Sequence, residues 1–286
     1  MLLGKQQSLV GVLTSALAAE PGSNPTVVIL NTGMVHRVGD NRMFVTISRA
    51  LAKAAGCTVL RFDFSGIGDS GPRIDGLSPL QSSLADIRDA LDWLEQERRI
   101  SRVILMGLCS GADHAVLYGH TDARVVALVL MDPSIPPTAR YYMNYIAQRL
   151  GHGVNWMSVM TGRSGILRVW AEHLWRLCQP CRQSRPVTLK NLRFHRCLEQ
   201  SYQNIVDHGI QILTIFTEDS TRQTYREQMI DAFPNISFGS QLKLEFFQGS
   251  DHRFTLEKDR HRLIDLILNW MRSTNYRHSS GVSSAG

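Results

Sequence analysis

Strand-like and helix-like segments alternate along this chain, and that alternation constrains the fold more than any other feature. Residues 26–30 form a short β-branched run that ends at Asn31-Thr32-Gly33. Residues 42–55 then repeat apolar side chains at helical spacing through Phe44, Ile47 and Leu51, with Asp40 or Asn41 as the cap. A strand is expected over 57–62, and a helix over 83–97 with Leu84, Ile87, Leu91 and Leu94 on one face. A strand at 102–106, a helix from Ala112 and a strand at 125–131 follow. Repeats of this length build βαβ units, and strands that are apolar throughout are buried on both faces. The expected architecture is therefore a mostly parallel sheet flanked by helices.

The alternation stops at Ser134 and resumes at Ile210, with strands expected over 210–216 and 242–247 and a closing helix over 256–271. The segment between reads as helical and aromatic (Tyr141, Tyr142, Tyr145, Trp156, Trp170, Trp175). It is also where the positive charge lies. From Ser134 to His208 nine arginines and Lys190 stand against Glu172, Glu199 and Asp207, a net of +7, whereas the other residues hold 21 bases and 22 acids. The expected organisation is a core of residues 1–133 and 209–275, a helical lid insertion at 134–208, and a flexible Ser/Gly-rich tail at 276–286. A basic excess confined to one segment points to an acidic partner or ligand there, or to a solvated basic face, rather than to general affinity for nucleic acid.

The junction between the 102–106 strand and the helix after it carries Gly107-Leu108-Cys109-Ser110-Gly111. A nucleophile presented on so sharp a strand-to-helix turn needs small residues two positions before and two after it. Centring on Cys109 puts Gly107 and Gly111 there; centring on Ser110 would put Leu108 and Ala112 there. Cys109 is thus the expected nucleophile, and the amide dipoles of the helix start favour its thiolate. Its base is expected at His252, in the loop Gly249-Ser250-Asp251-His252 between the last strand and the last helix. The acid is expected at Asp219, in Thr217-Glu218-Asp219-Ser220, with Asp132 at the end of the preceding strand as the alternative. The backbone amides of Met34 and Ser110 are the expected oxyanion donors. His36 and Arg37, in the same loop as Met34, are candidates either for contacting a substrate anion or for anchoring the loop.

Taken together, the segments 30–42, 60–70 and 107–113 and the pair Asp251-His252 resemble the α/β-hydrolase superfamily, and within it the serine-aminopeptidase-like and exosortase-associated branch. The resemblance covers most of the chain outside the lid and implies the α/β-hydrolase fold with a nucleophile, acid and histidine in that order. A cysteine at the nucleophile position is similar to dienelactone hydrolases and some biosynthetic thioesterases and cyclases. The expected activity is acyl transfer from an ester or thioester through an acyl-enzyme, by a thioesterase, acyltransferase or cyclase. The expected substrate is a small acyl compound, with an acyl-carrier protein or coenzyme A thioester as partner. An ordinary esterase, and a catalytically silent fold used for binding, are the alternatives.

Other chemistries have weaker support. Cys178-x-x-Cys181 with His195-x-Cys197 has zinc-like inner spacing, but it lies among lid helices and is not expected to hold metal. Gly66-Ile-Gly68 lacks the fuller glycine pattern of a dinucleotide loop. No cofactor is expected. The start of the chain lacks the apolar core of a signal peptide, no run is long enough to span a membrane, and five cysteines are an odd number. A cytoplasmic protein with free thiols is expected.

Overall fold

In the computed structural model the described residues are 1–4, 7–16, 24–151, 186–218 and 223–276. Eight strands form one sheet: β1 (Leu2–Leu3), β2 (Leu9–Thr14), β3 (Thr26–Ile29), β4 (Val59–Phe62), β5 (Val103–Leu108), β6 (Val125–Met131), β7 (Gln211–Thr217) and β8 (Leu242–Phe247). Their spatial order is β1-β2-β4-β3-β5-β6-β7-β8. From β4 to β8 every pairing is parallel, and β1 and β2 add an antiparallel edge. The described helices are α1 (Met43–Ala54), α2 (Pro79–Arg98), α3 (Ser110–Gly119), α4 (Ala139–Gly151), α5 (Pro186–Asp207), α6 (Gln228–Ala232) and α7 (Glu257–Ser273).

The side-chain period of two in a strand divides the core into two layers. Val28, Leu30, Leu105, Leu128 and Leu130 pack with α2, α3 and α5 through Ile87, Leu91, Val116, Leu198 and Tyr202. Val27, Ile29, Ile104, Met106 and Val129 pack with α1 and α7 through Phe44, Ile47, Leu51, Leu263 and Ile267. With both faces covered, β3 to β6 are buried along their whole length, which is why their sequences are apolar without alternation.

Several boundaries differ from the sequence expectation. Helix α2 begins a turn earlier than 83, because Pro79 occupies its first turn and the Ser78 amide donates to Gln81 Oε1 at 3.2 Å. Helix α1 is not capped by a side chain: residues 40–42 form a short 3-10 turn, and left-handed Arg42 precedes the helix. The short α6 was not expected from the sequence.

Between β6 and β7 the described residues include the helices α4 and α5, with a non-helical stretch over 132–138 before α4. Trp156, Trp170, Trp175, Cys178 and Cys181 lie outside the described residues, as do residues 277–286 of the tail. No described helix is long and apolar enough to cross a membrane.

Candidate active site

The candidate site lies at the carboxyl ends of β3, β5, β6 and β8, where loops leave a parallel sheet free of the helices that cover its faces. Strand β5 runs straight into α3, and Cys109 between them is held at φ 55°, ψ −119°. Few non-glycine residues adopt a positive φ, and here the turn lifts the side chain clear of the sheet edge. The flanking glycines are required sterically. A Cβ on Gly107 would sit 2.5 Å from the Ala112 amide nitrogen, and one on Gly111 would sit 2.5 Å from the Asn31 carbonyl oxygen.

His252, in the loop after β8, faces Cys109 and is the group that most lowers its thiol pKa. Its Nδ1 lies 2.7 Å from Asp132 Oδ2. Asp132 immediately follows β6, the neighbour of β5, and is itself left-handed at φ 45°, a conformation aspartate tolerates better than most residues. Its side chain is 1% exposed. Burying a carboxylate requires that its lone pairs be satisfied, and they are. The Thr217 amide donates to Oδ1 at 2.8 Å, and the Thr217 hydroxyl donates to Oδ2 at 2.6 Å.

This geometry determines the charges. The Asp132 hydrogen bond, then that to Cys109, raises His252 to about 10 against its partial burial. The bond from His252 holds the Cys109 thiol below its ordinary value, with help from the imidazole's charge and the Ser110 amide, against desolvation. A lowered thiol beside a raised imidazole shifts the pair toward a thiolate facing an imidazolium, the form in which a cysteine is activated for attack. With both ring nitrogens protonated, Nδ1 donates to Asp132 and Nε2 carries the second proton.

The carboxylate that reaches the histidine is therefore Asp132, the alternative in the sequence reading. Asp219, favoured there, lies outside the described residues. The preceding Glu218 bonds the histidine loop at a different point, accepting the Gly249 amide at 2.6 Å.

The loop after β3 approaches the other side of Cys109. Its tight turn is closed by the Val35 amide donating to the Thr32 carbonyl at 2.9 Å, and it contains left-handed Gly33 and Met34, whose side chain is 81% exposed. Buried Asn31 braces the turn: its Nδ2 donates to the Val35 carbonyl at 2.8 Å, and its Oδ1 accepts the Phe64 amide at 2.8 Å. The Ser110 hydroxyl accepts the Gly33 amide at 2.7 Å.

Arg37 anchors this loop. Its guanidinium pairs with buried Asp63 and lies 2.7 Å from Asp69, and its amide donates to Asp63 Oδ1 at 2.5 Å. With these bonds made, the guanidinium serves the loop rather than an incoming anion. His36 is exposed, and its Nδ1 accepts the Val38 amide at 3.2 Å. His114, one turn into α3, is half-buried against the Phe64 ring, and desolvation pushes it down to about 4, so it packs as a neutral ring.

Thr217, Asn31 and Asp63 were not identified from the sequence as supports of the site. Asp113 belongs with them: its carboxylate accepts both the amide and the hydroxyl of Ser134 at 2.7 Å, tying α3 to the start of the 134–208 segment. No group of three or more potential metal ligands occurs among the described residues, and Cys197 of the zinc-like pattern is exposed.

A parallel sheet, a strained nucleophile turn after its fifth strand, and a histidine after its last strand held by a buried carboxylate define the class of nucleophile-elbow hydrolases. The chain belongs to the alpha/beta hydrolase family, whose model matches residues 27–266, and it is an enzyme of hydrolase type. Solved structures share the fold. Est1E from Butyrivibrio proteoclasticus superposes with a TM-score of 0.60 at 13% identity, covering 95% of this chain and 97% of that one. A serine hydrolase homologue from Coxiella burnetii gives 0.56 at 16%, covering 91% and 90%. The alpha/beta hydrolase GrgF from Penicillium sp. sh18 gives 0.54 at 18%, covering 96% and 99%. No curated protein sequence matches the chain.

Proposed function

We propose that the protein is a cysteine-nucleophile acyl-transfer enzyme acting on an ester or thioester, with Cys109 as nucleophile, His252 as acid and base, and Asp132 as the group that holds the histidine. The observation that carries this reading is the left-handed Cys109 at the head of α3, facing a histidine whose Nδ1 lies 2.7 Å from a buried carboxylate.

The Cys109 thiolate attacks the carbonyl carbon, and the resulting oxyanion is received by the backbone amides of Ser110 and Met34. The tetrahedral intermediate collapses by breaking the bond to the leaving alcohol or thiol, which takes the proton from His252 Nε2. The acyl group is then a thioester of Cys109 and the imidazole is neutral. Water, or a hydroxyl, amine or thiol of an acceptor, loses its proton to His252 as it attacks the thioester. A second collapse releases the acyl product and restores the thiolate–imidazolium pair.

A cysteine favours a thioester donor, because the acyl-enzyme is itself a thioester and the first transfer is close to balanced in energy. Thioesterase, acyltransferase and cyclase are the corresponding activities. The +7 segment at 134–208 suits the acidic surface of an acyl-carrier protein or the phosphates of coenzyme A.

Intact-mass measurement with a panel of activated acyl esters and thioesters tests the reading. The wild type is expected to gain one acyl mass, mapped to Cys109, and Cys109→Ala to gain none and to lose turnover by more than about 10³-fold. An adduct that persists in Cys109→Ala assigns the nucleophile elsewhere. A wild-type protein that takes up no acyl group supports a silent fold instead.

A further inference from the structure

The residue after Cys109 carries a hydroxyl as well as the amide that belongs to the oxyanion site, and the hydroxyl makes a bond of its own. Ser110 Oγ accepts the Gly33 amide at 2.7 Å, across 77 residues of sequence and between two different strand ends. Its position is specific. Gly33 immediately precedes Met34, and Ser110 immediately follows the nucleophile, so one hydrogen bond spans the two segments that must present the Met34 and Ser110 amides to the same oxygen atom. The Asn31 bonds and the Thr32–Val35 bond hold the base of the turn, whereas the bond at its tip is to Ser110. The tip is exposed at Gly33 and Met34, so packing contributes little to its position. Close approach of the elbow from below is already fixed, because Gly111 meets the Asn31 carbonyl. The bond that ties the exposed tip of the 32–35 turn to the elbow is the one to Ser110.

We propose that Ser110 is a positioning residue whose hydroxyl latches the β3 loop to the nucleophile elbow and so fixes the spacing of the two oxyanion amides. The proposal rests on the acyl-transfer reading above and adds a role for a side chain that the reading does not use. An oxyanion hole acts through preorganised donors, so a loop that must find its position during each turnover lowers the rate of carbonyl addition without altering the nucleophile. The ionisation of Cys109 depends on His252 and on the Ser110 amide, and an alanine at 110 keeps both.

The test compares two reactions of the same sulfur in the full-length protein. Alkylation by iodoacetamide is a displacement at saturated carbon and develops no oxyanion; acylation by an activated ester requires one. Ser110→Ala is expected to slow ester acylation about tenfold while leaving the alkylation rate and its pH profile within about twofold. Ser110→Thr, which keeps the hydroxyl, is expected to recover most of the lost acylation. The latch is overturned if Ser110→Ala acylates at the wild-type rate, if alkylation falls in parallel, which would mean a disturbed elbow, or if threonine fails to rescue. A wild-type protein that alkylates at Cys109 but forms no acyl adduct there overturns the acyl-transfer reading and the latch with it. A wild-type adduct with an unaltered Ser110→Ala rate removes the latch alone.

Discussion

The proposed acid–base end of the site and the proposed oxyanion end stand on adjacent parts of the sheet and are secured by opposite means. Asp132 is buried, its carboxylate receives two bonds from Thr217 and one from His252, and its place follows from the register of β6 on β7, in which Met131 lies beside Ile215. The turn at Gly33 and Met34 is exposed and meets the elbow through the Ser110 hydroxyl. Sheet register positions the first, and a loop contact positions the second. A buried polar cluster that is fully satisfied is rigid and costly to disturb, whereas an exposed bond contributes little to stability and can still govern a rate. Substitutions at the two ends should therefore separate stability from activity, in opposite senses.

Asp132→Asn should have the largest effect at the acid–base end. The carboxamide keeps the shape but places an NH2 group where one carboxylate oxygen now accepts. It can no longer stabilise an imidazolium, and His252 should fall well below its present value of about 10. Turnover should drop about 10²-fold, less than the roughly 10⁴-fold lost by a serine triad, because a thiolate needs less help from its base. A serine-like loss would show that Cys109 is not already ionised by its neighbours. A loss under threefold would move the acid's role elsewhere, with Asp219→Asn as the companion measurement.

The pH profile sharpens the same contrast without mutation. Cys109 titrates below its ordinary value and His252 near 10, so the ion pair occupies the interval between them. As pH rises into that interval, alkylation of Cys109 should climb with a midpoint below 9, the thiol's ordinary value. Above about pH 10 the imidazolium loses its proton; the sulfur stays ionised, but no acid remains for the leaving group. Acyl transfer should therefore decline on the alkaline side while alkylation does not. An alkylation midpoint at or above 9, as for a free thiol, would remove the ion pair from the mechanism.

What the sequence made legible, and what it did not, follows the same division. The parallel sheet, the elbow and the histidine were readable because each leaves a short local signature: apolar runs, two glycines around Cys109, and a histidine between the last strand and the last helix. Local spacing also favoured Cys109 over Ser110, because the constraint there is steric and lies within five residues. The acid was ambiguous because its choice is a matter of tertiary register. Asp132 and Asp219 both follow strands, and only the pairing of β6 between β5 and β7 brings Asp132 to the histidine. Thr217, Asn31 and the Ser110 hydroxyl were not legible, since a side chain bonding to a backbone amide 77 or 85 residues away leaves no pattern in either segment. Arg37 was readable as a choice between anchor and ligand, and the buried Asp63 beside it is what makes it an anchor.

The smallest expected effect on activity belongs to Thr217→Val, which makes it the sharpest test of the division. Valine has nearly the shape of threonine, and it keeps the backbone N–H that donates to Asp132 Oδ1. It loses the hydroxyl bond to Oδ2, leaving that buried oxygen with His252 as its remaining donor among the described residues. Removing one bond to a buried charge should lower unfolding stability by about 2 kcal/mol. The bond to His252 becomes more strongly polarised as its competitor is lost, so turnover should change by less than about threefold. Ser110→Ala should show the reverse, a larger loss of acylation with stability changed by under about 0.5 kcal/mol, as is usual for an exposed site. Denaturant unfolding and single-turnover acylation of both variants place the two residues on the two axes. If Thr217→Val costs more activity than Ser110→Ala, or Ser110→Ala more stability than Thr217→Val, the contrast between a site held by sheet register and one held by a loop latch does not hold for this protein.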